Sequence, residues 1–305
     1  MKRVFSFSIL LLFLIIIKTS IVKAAALPSF IVPESVYSID DRRFVDNFSK
    51  PKISELSQSV ALIVDKDLVK KNIMSSLIQT RRLTDKNGLN ICPDELFATH
   101  FSVNSCTGFL ISEDLLVSAG HCFMSEDDCA NKNIIFNVRA LNEVKKGYKV
   151  SSSSVFECKE ILKSVFDSEG DQDYSVIRLK QKAIDRKPLK IRSIGKIQKR
   201  DKVFMLGYPL GMALLQTGSA IVNDISPEHS FKATLDSFEG NSGSPVFNTK
   251  TFEVEGILVR GEEDFFKDPS LECYRYQTYN ESSQLPAKGE GVSRISEINN
   301  LLVIK

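Results

Sequence analysis

Three residues of types used in nucleophilic catalysis each stand in a short stretch suited to that chemistry. His121 directly precedes Cys122 in "SCTGFLISEDLLVSAGHC", Ser242 lies in "GNSGSPVF", and Asp173 begins "DYSVIRL". An imidazole can act as general base toward a serine hydroxyl, and a buried carboxylate beside it holds the ring in the required tautomer. Glycines around the serine allow a tight turn whose N–H groups stabilise a developing oxyanion. In chain order, the three stretches predict a Ser-His-Asp triad.

Each of these stretches also has a plainer interpretation when it is taken alone. A serine between glycines is a common turn, and an aspartate before a strand is a common turn residue. Asp167 and Asp171 are alternatives to Asp173, which is preferred because it adjoins the strand. His100 and His229 have no motif around them and are expected to be surface or turn histidines.

A metal site is the main alternative role for His121. Together with Cys122 and Cys129 it would offer three ligands, but their positions match none of the common zinc-ligand spacings. An oxidising compartment would also convert the thiols to disulfides. We therefore expect no metal and no cofactor.

Composition excludes two classes of partner. Lys+Arg 40 against Asp+Glu 38 leaves a net charge of +2, and the charges are scattered along the chain. A nucleic-acid binder or a membrane-surface binder normally carries a strong basic excess. The hydrophobic fraction of 43% is that of an ordinary globular protein.

The amino terminus has the pattern of a secretory signal peptide. Lys2 and Arg3 precede an apolar run that is densest at "ILLLFLIII", and Ala24-Ala25-Ala26 supplies small residues for cleavage. The run is shorter than the about 20 residues that span a bilayer. We expect residues 1–26 to be removed and the protein to be secreted or periplasmic, with a retained anchor as the alternative.

Export makes up to three disulfides possible among the six cysteines, and spacing favours Cys106 with Cys122.

The chain from residue 101 onward has the rhythm of an all-β protein. Short apolar runs such as "GFLI", "LLVSA", "YSVIRL" and "VEGILV" are separated by Gly, Asn, Asp, Ser or Pro. This spacing is typical of sandwiches and barrels.

In "VSRISEINNLLVI", by contrast, Val292, Ile295 and Ile298 recur at helical spacing and predict a C-terminal helix. Residues 27–82 are polar and predict a pro-segment or an extension, which a cut at Arg81-Arg82 would remove.

The combined motifs resemble those of the chymotrypsin-fold serine proteases, and "GNSGSPVFN" is similar to their bacterial trypsin-like and glutamyl endopeptidase branch. The resemblance covers roughly residues 83–305, and "YSIDDRRFVDNF" loosely resembles the segment near the mature N-terminus of the glutamyl endopeptidases. It implies two six-stranded antiparallel β-barrels, approximately 83–190 and 191–305, with the active site between them. Ser242 would be the nucleophile, His121 the base, Asp173 the orienting carboxylate, and the N–H groups of Gly240 and Ser242 the oxyanion hole.

The resemblance also implies where substrate binds. Asp236, six residues before the nucleophile, would lie at the base of the primary pocket, and Gly261 would leave its rim open. The full set of implied substrate-binding residues is Asp236, Ser237, Val259, Arg260 and Gly261. A carboxylate in the pocket favours cleavage after Arg or Lys. A Glu-specific endopeptidase of the same fold is the alternative, because Arg260 could attract an acidic residue, although Leu258 stands where the glutamyl enzymes have a histidine.

The remaining expectations concern partners, disulfides and activation. We expect the partner to be a protein or peptide substrate. We expect the protein to be a monomer that has no membrane contact after signal cleavage. The non-enzymatic alternative is a secreted relative that binds peptides without hydrolysing them. We expect Cys129 to pair with Cys158, and Cys92 with Cys273. Asn241 stands where digestive relatives have an aspartate that pairs with a newly cut N-terminus, so we expect no such ion-pair switch.

Overall fold

The computed structural model describes residues 36–37, 40–167, 171–218, 220–279 and 288–299, all of which belong to one compact unit. The predicted signal peptide, residues 1–26, lies outside the described residues. Within the described part of the chain, no helix is long and apolar enough to cross a bilayer.

Short strands dominate the described residues. In the first half of the chain they are β1 (Val36–Tyr37), β2 (Arg43–Phe44), β3 (Val60–Asp65), β4 (Val69–Lys71), β5 (Ser75–Gln79), β6 (Arg81–Arg82), β7 (Phe101–Ser102), β8 (Cys106–Leu110), β9 (Leu115–Ser118), β10 (Lys132–Phe136), β11 (Glu143–Val144) and β12 (Gly147–Ser151). In the second half they are β13 (Val155–Phe166), β14 (Asp173–Leu179), β15 (Lys202–Gly207), β16 (Leu215–Gln216), β17 (Ala220–Asp224), β18 (Ser230–Ala233), β19 (Pro245–Asn248), β20 (Val254–Arg260), β21 (Phe265–Lys267), β22 (Tyr274–Tyr276), β23 (Thr278–Tyr279) and β24 (Glu290–Arg294).

Helical segments among the described residues are short. The α-helices are α1 (Pro51–Ser57) and α2 (Glu126–Asn131). The 3₁₀ turns are Lys66–Leu68, Gly120–Cys122, Ala140–Asn142, Ser152–Ser154, Pro209–Gly211 and Ile295–Ile298. Helix α2 begins with a capping box, in which Ser125 and Asp128 exchange side-chain-to-backbone hydrogen bonds.

Two closed antiparallel barrels of six strands each organise the chain, as the resemblance implied. The first runs in the order β10-β13-β14-β9-β8-β3. The second runs β17-β18-β24-β20-β19-β15 and closes where β15 pairs with β17, through Lys202↔Ile221 and Val203↔Ala220. Closure leaves no open edge in either ring, and the apolar side chains fill the interiors. The apolar runs named from the sequence coincide with β8, β9, β14 and β20.

The amino-terminal boundary predicted at residue 83 is wrong, because β3 belongs to the first barrel. Its residues pair with β10 on one side and with β8 on the other. Five of its six residues are buried, since a strand inside a closed barrel has neighbours on both edges. The segment 27–82 therefore supplies part of the domain, and a cut at Arg81-Arg82 that released it would open the barrel.

The predicted C-terminal helix needs a second correction. Val292 lies in β24, where it pairs with Phe231 of β18 and Leu258 of β20. Strand pairing that closes the second barrel overrides the helical spacing at Val292, and helical backbone begins with the 3₁₀ turn Ile295–Ile298. Residues 300–305, on which the rest of the prediction falls, lie outside the described residues.

Three disulfides occur among the described residues. They are Cys92–Cys273, Cys106–Cys122 and Cys129–Cys158, the same pairs that were named from the sequence. The second one joins the start of β8 to the turn that carries His121, and the third joins α2 to β13.

Candidate active site

His121 lies in the 3₁₀ turn that follows β9, at the edge of the first barrel. Its Nδ1 is 2.8 Å from Asp173 Oδ2, and its side chain is mostly buried. The Cys106–Cys122 disulfide fixes the turn to β8. When Nδ1 donates to a carboxylate, Nε2 is left as the acceptor, which is the tautomer that a general base toward a hydroxyl requires.

Asp173 begins β14 and is 1% exposed. Besides the His121 ring, its Oδ1 accepts hydrogen bonds from the backbone N–H groups of Gly120, at 2.6 Å, and of His121, at 3.2 Å. Three donors on one buried carboxylate compensate its loss of hydration. Gly120 permits this close approach, because a Cβ there would lie 1.9 Å from the carbonyl oxygen of Val165.

A paired carboxylate does not by itself distinguish His121 from the other two histidines. His100 Nδ1 lies 2.7 Å from Glu143, and His229 Nδ1 lies 3.1 Å from Glu297. Both of those carboxylates are partly exposed, whereas Asp173 is buried. The distinguishing features of His121 are that buried partner and its position beside the Ser242 turn.

Ser242 lies in a turn that contacts the first barrel directly. Its carbonyl accepts a hydrogen bond from Thr107 N–H at 2.8 Å and lies 3.9 Å from Cys122 Sγ. Gly243, at φ +92°, makes this approach possible, since a Cβ there would be 2.0 Å from the carbonyl oxygen of Thr107. The turn is thereby held against the loop that carries His121.

No hydrogen bond between the His121 ring and the Ser242 hydroxyl occurs among the described residues. Catalytic hydrogen bonds are often long without substrate and shorten when it binds. The structure thus brings the serine turn, the histidine turn and the aspartate strand together, while the contact that joins nucleophile and base is left for the bound state.

The N–H groups of the Ser242 turn differ in whether they have a partner. The N–H groups of Asn241 and Gly243 are already engaged, because they donate to the carbonyls of Phe238, at 3.1 Å, and Leu258, at 2.7 Å. In the part of the chain that the structure describes, the N–H groups of Gly240 and Ser242 donate to no backbone carbonyl. Gly240 has φ +95°, a conformation suited to glycine, which directs alternate N–H groups of the turn to different sides. These two donors are suited to hold an oxyanion.

Comparison with known proteins agrees with this geometry. The trypsin-like peptidase domain family matches residues 106–257, which contain all three predicted catalytic residues. The chain belongs to the trypsin-like serine proteases. Among solved structures it resembles a Glu endopeptidase, with TM-score 0.50 and 16% identity over 88% of this chain and 98% of the other. It also resembles the VesB protease of Vibrio cholerae, with TM-score 0.50 and 13% identity over 87% of this chain and 67% of the other. At these identities the two structures show the shared fold.

Two of the residues implied to bind substrate have other partners in this protease. Asp236 is 5% exposed, and its oxygens accept backbone N–H groups from Tyr37, at 2.7 Å, and Asp41, at 3.3 Å. Burial raises the pKa of Asp236 to about 7, although both N–H donors and the Arg42 charge oppose that rise. Ser237 is fully buried and accepts a hydrogen bond from Asn241 Nδ2 at 3.0 Å.

The other three residues border a cavity of about 500 Å³ at the end of β20. Val259, Arg260 and Gly261 line one side of it, and Gly289 and Gly291 lie on the adjacent strand. Charged residues on its remaining walls are Asp171, Glu228, Lys232 and Glu262. Asp236 and Ser237 are not among the lining residues, so the five implied positions do not form one surface.

A second cavity of about 560 Å³ is bordered by Gly240. Its lining includes Arg81, Leu89, Ser105, Leu210 and Glu239, and burial raises the pKa of Glu239. No sequence motif indicated this cavity, because its walls come from segments far apart in the chain. The cavity leaves space beside Gly240, one of the two predicted oxyanion donors.

The metal alternative for His121 is not supported by the chemistry of the donors. Cys106 Sγ, Cys122 Sγ and a His121 nitrogen lie within 4.8 Å of one another. Both sulfurs belong to one disulfide, and Cys129 is bonded to Cys158. A metal site needs thiolates, which these cysteines do not offer.

Proposed function

We propose that the protein is a secreted serine endopeptidase in which Ser242, His121 and Asp173 act as the catalytic triad. The observation that carries the proposal is the Asp173-held imidazole of His121 in a turn that adjoins the Ser242 turn. Asp173 is buried with three donors, so it stays in place as an acceptor and orients the ring.

The reaction proceeds through an acyl-enzyme. His121 Nε2 takes the hydroxyl proton as Ser242 Oγ attacks the substrate carbonyl, and the oxyanion is bound by the N–H groups of Gly240 and Ser242. His121 then gives the proton to the leaving amine as the C–N bond breaks. Water, deprotonated by His121, hydrolyses the ester and restores the serine hydroxyl.

For specificity, we propose cleavage after Arg or Lys. Carboxyl groups at Asp236 and Glu290 are buried in this region of the second barrel, and a carboxylate that contacts the substrate there would favour a cationic side chain. Cleavage after Glu remains the second candidate, because Arg260 borders the cavity at the end of β20. A series of peptides that differ only in the residue before the cleaved bond separates the two.

Secretion into an oxidising compartment accounts for the cysteines. Each of the six is in a disulfide. Such saturation is typical of proteins outside the cytosol. The expected signal peptide would direct this export.

A fluorophosphonate probe tests the catalytic assignment. We expect labelling at Ser242 in the full secreted chain and its loss in Ser242→Ala and His121→Ala. His229→Ala is the matched control, because this histidine also contacts a carboxylate but lies outside the site, and it should keep labelling. Absence of labelling in the folded wild type would instead support the non-hydrolytic peptide-binding alternative.

A further inference from the structure

We propose that Glu290, and not Asp236, is the carboxylate that selects a basic side chain before the cleaved bond. The inference rests on the proposed cleavage after Arg or Lys and assigns that preference to a residue which the sequence motifs did not indicate. Asp236 instead anchors the amino-terminal residues 36–37 and 40–44, which we call the anchor segment.

Glu290 is buried beside three glycines that line the cavity at the end of β20. It begins β24, which pairs with β20, and its carboxylate packs against the backbone of Gly261. A Cβ at Gly261 would lie 1.9 Å from Glu290 Oε2, so the absence of a side chain there makes room for this carboxylate. Gly261 is the residue that the resemblance places at the pocket rim, and Gly289 and Gly291 border the same cavity on either side of Glu290.

Asp236 is occupied by main-chain donors that a substrate cannot displace. Tyr37 N–H and Asp41 N–H donate to its two oxygens, and β2 of the anchor segment pairs with β16. Releasing these donors would require the segment to detach from the barrel. Arg42, whose side chain is fully buried, adds a positive charge that acts on Asp236. Both oxygens of Asp236 therefore already have hydrogen-bond donors from within the chain.

Glu290 is in contact with the side chain of Tyr37. The Tyr37 hydroxyl donates to Glu290 Oε1 at 3.0 Å, while its N–H holds Asp236, so one residue bridges the two carboxylates. A phenol is a neutral donor. A guanidinium or ammonium group in its place would form a charge-assisted hydrogen bond, which is about twice as strong. For a basic side chain to reach Glu290 Oε1, the Tyr37 ring would have to rotate aside, which leaves the hydrogen bond from its N–H to Asp236 in place.

Matched carboxylate-to-amide variants of the full secreted chain test this assignment. Glu290→Gln and Asp236→Asn are assayed on three peptides that differ only in having Arg, Lys or Leu before the cleaved bond. We expect Glu290→Gln to lower kcat/KM about 100-fold for Arg and Lys relative to Leu, which is the loss of one charged contact. Asp236→Asn should change all three substrates by a common factor and keep the preference.

Two further measurements keep a folding defect distinct from a lost contact. Fluorophosphonate labelling should persist in both variants, and Glu290→Asp, which keeps the charge, should recover part of the preference for Arg. A small arylamidinium inhibitor should bind Glu290→Gln at least 10-fold more weakly and Asp236→Asn unchanged. Retained Arg preference in Glu290→Gln, or its loss in Asp236→Asn alone, would overturn the assignment. A labelled wild type that cleaves after Glu would overturn the proposed specificity itself.

Discussion

Replacing Asp173 with Asn tests whether this carboxylate sets the tautomer of His121. Asn has almost the same shape but only one acceptor oxygen. In the structure, Oδ1 of Asp173 receives the N–H groups of Gly120 and His121, while Oδ2 receives Nδ1 of the ring. Two backbone donors outweigh one, so the amide oxygen will keep the Oδ1 position. The amide NH₂ will then face Nδ1.

That orientation of the amide reverses the tautomer of the His121 imidazole. Nδ1 has to become the acceptor, and the ring proton moves to Nε2, the nitrogen that must accept the proton of Ser242. We expect kcat to fall by about 10⁴-fold, which corresponds to about 5 kcal/mol in the barrier, with KM changed much less. Since shape and backbone contacts persist, the free energy of unfolding should change by no more than about 2 kcal/mol.

Steady-state kinetics on the best peptide substrate, together with denaturant unfolding, measure both quantities. Asp167→Asn is the control, because this exposed aspartate precedes β14 without lying at its start, and it should leave kcat unchanged. A kcat for Asp173→Asn within 10-fold of the wild type, with the fold intact, would refute the assigned role of Asp173.

Two other variants probe stability. Arg192→Ala should lower the free energy of unfolding by about 3 kcal/mol in denaturant titrations, because it leaves the buried Glu255 carboxylate without its bidentate partner. Lys187→Ala, which removes an exposed ion pair, is the control and should lower the free energy of unfolding by less than about 1 kcal/mol. Equal losses in the two variants would contradict this explanation. Burial raises the pKa of Asp236 to about 7. Between about pH 4 and pH 7 the native state therefore keeps this proton, whereas the unfolded chain releases it. The free energy of unfolding of the wild type should fall as pH rises through this window, by at most about 4 kcal/mol. Asp236→Asn should remove this part of the pH dependence, and an unaltered profile would show that Asp236 is ionised throughout.

The sequence was most informative where chemistry imposes local requirements. A serine turn needs glycines, a base near a loop end needs a fixed backbone, and an orienting carboxylate sits well at a strand start, so all three leave short motifs. Strands β8, β9, β14 and β20 were visible for a similar reason, as apolar runs between turn residues. These signals depend only on residues a few positions apart.

Features that depend on distant pairing could not be read in the same way. Strand β13 carries irregularities between Cys158 and Glu160 and between Ile161 and Lys163, which interrupt the alternation that would have identified it. Strand β3 shows an apolar run, but its polar surroundings made it look like part of an extension. The contact between Tyr37 and Glu290 joins residues 253 positions apart, and no local pattern marks either one.

The anchor segment also bears on activation. In the uncut chain the His121–Asp173 contact is formed, and the turn around Ser242 has its two glycines in the left-handed conformation. Asn241 is uncharged and donates to Ser237, so the turn is held without an ion pair to a new N-terminus. A cut at Arg81-Arg82 would cost the first barrel β3 and give nothing that the site lacks. Any maturation consistent with this architecture must therefore cut before the anchor segment, whose N–H groups satisfy the carboxylate of Asp236.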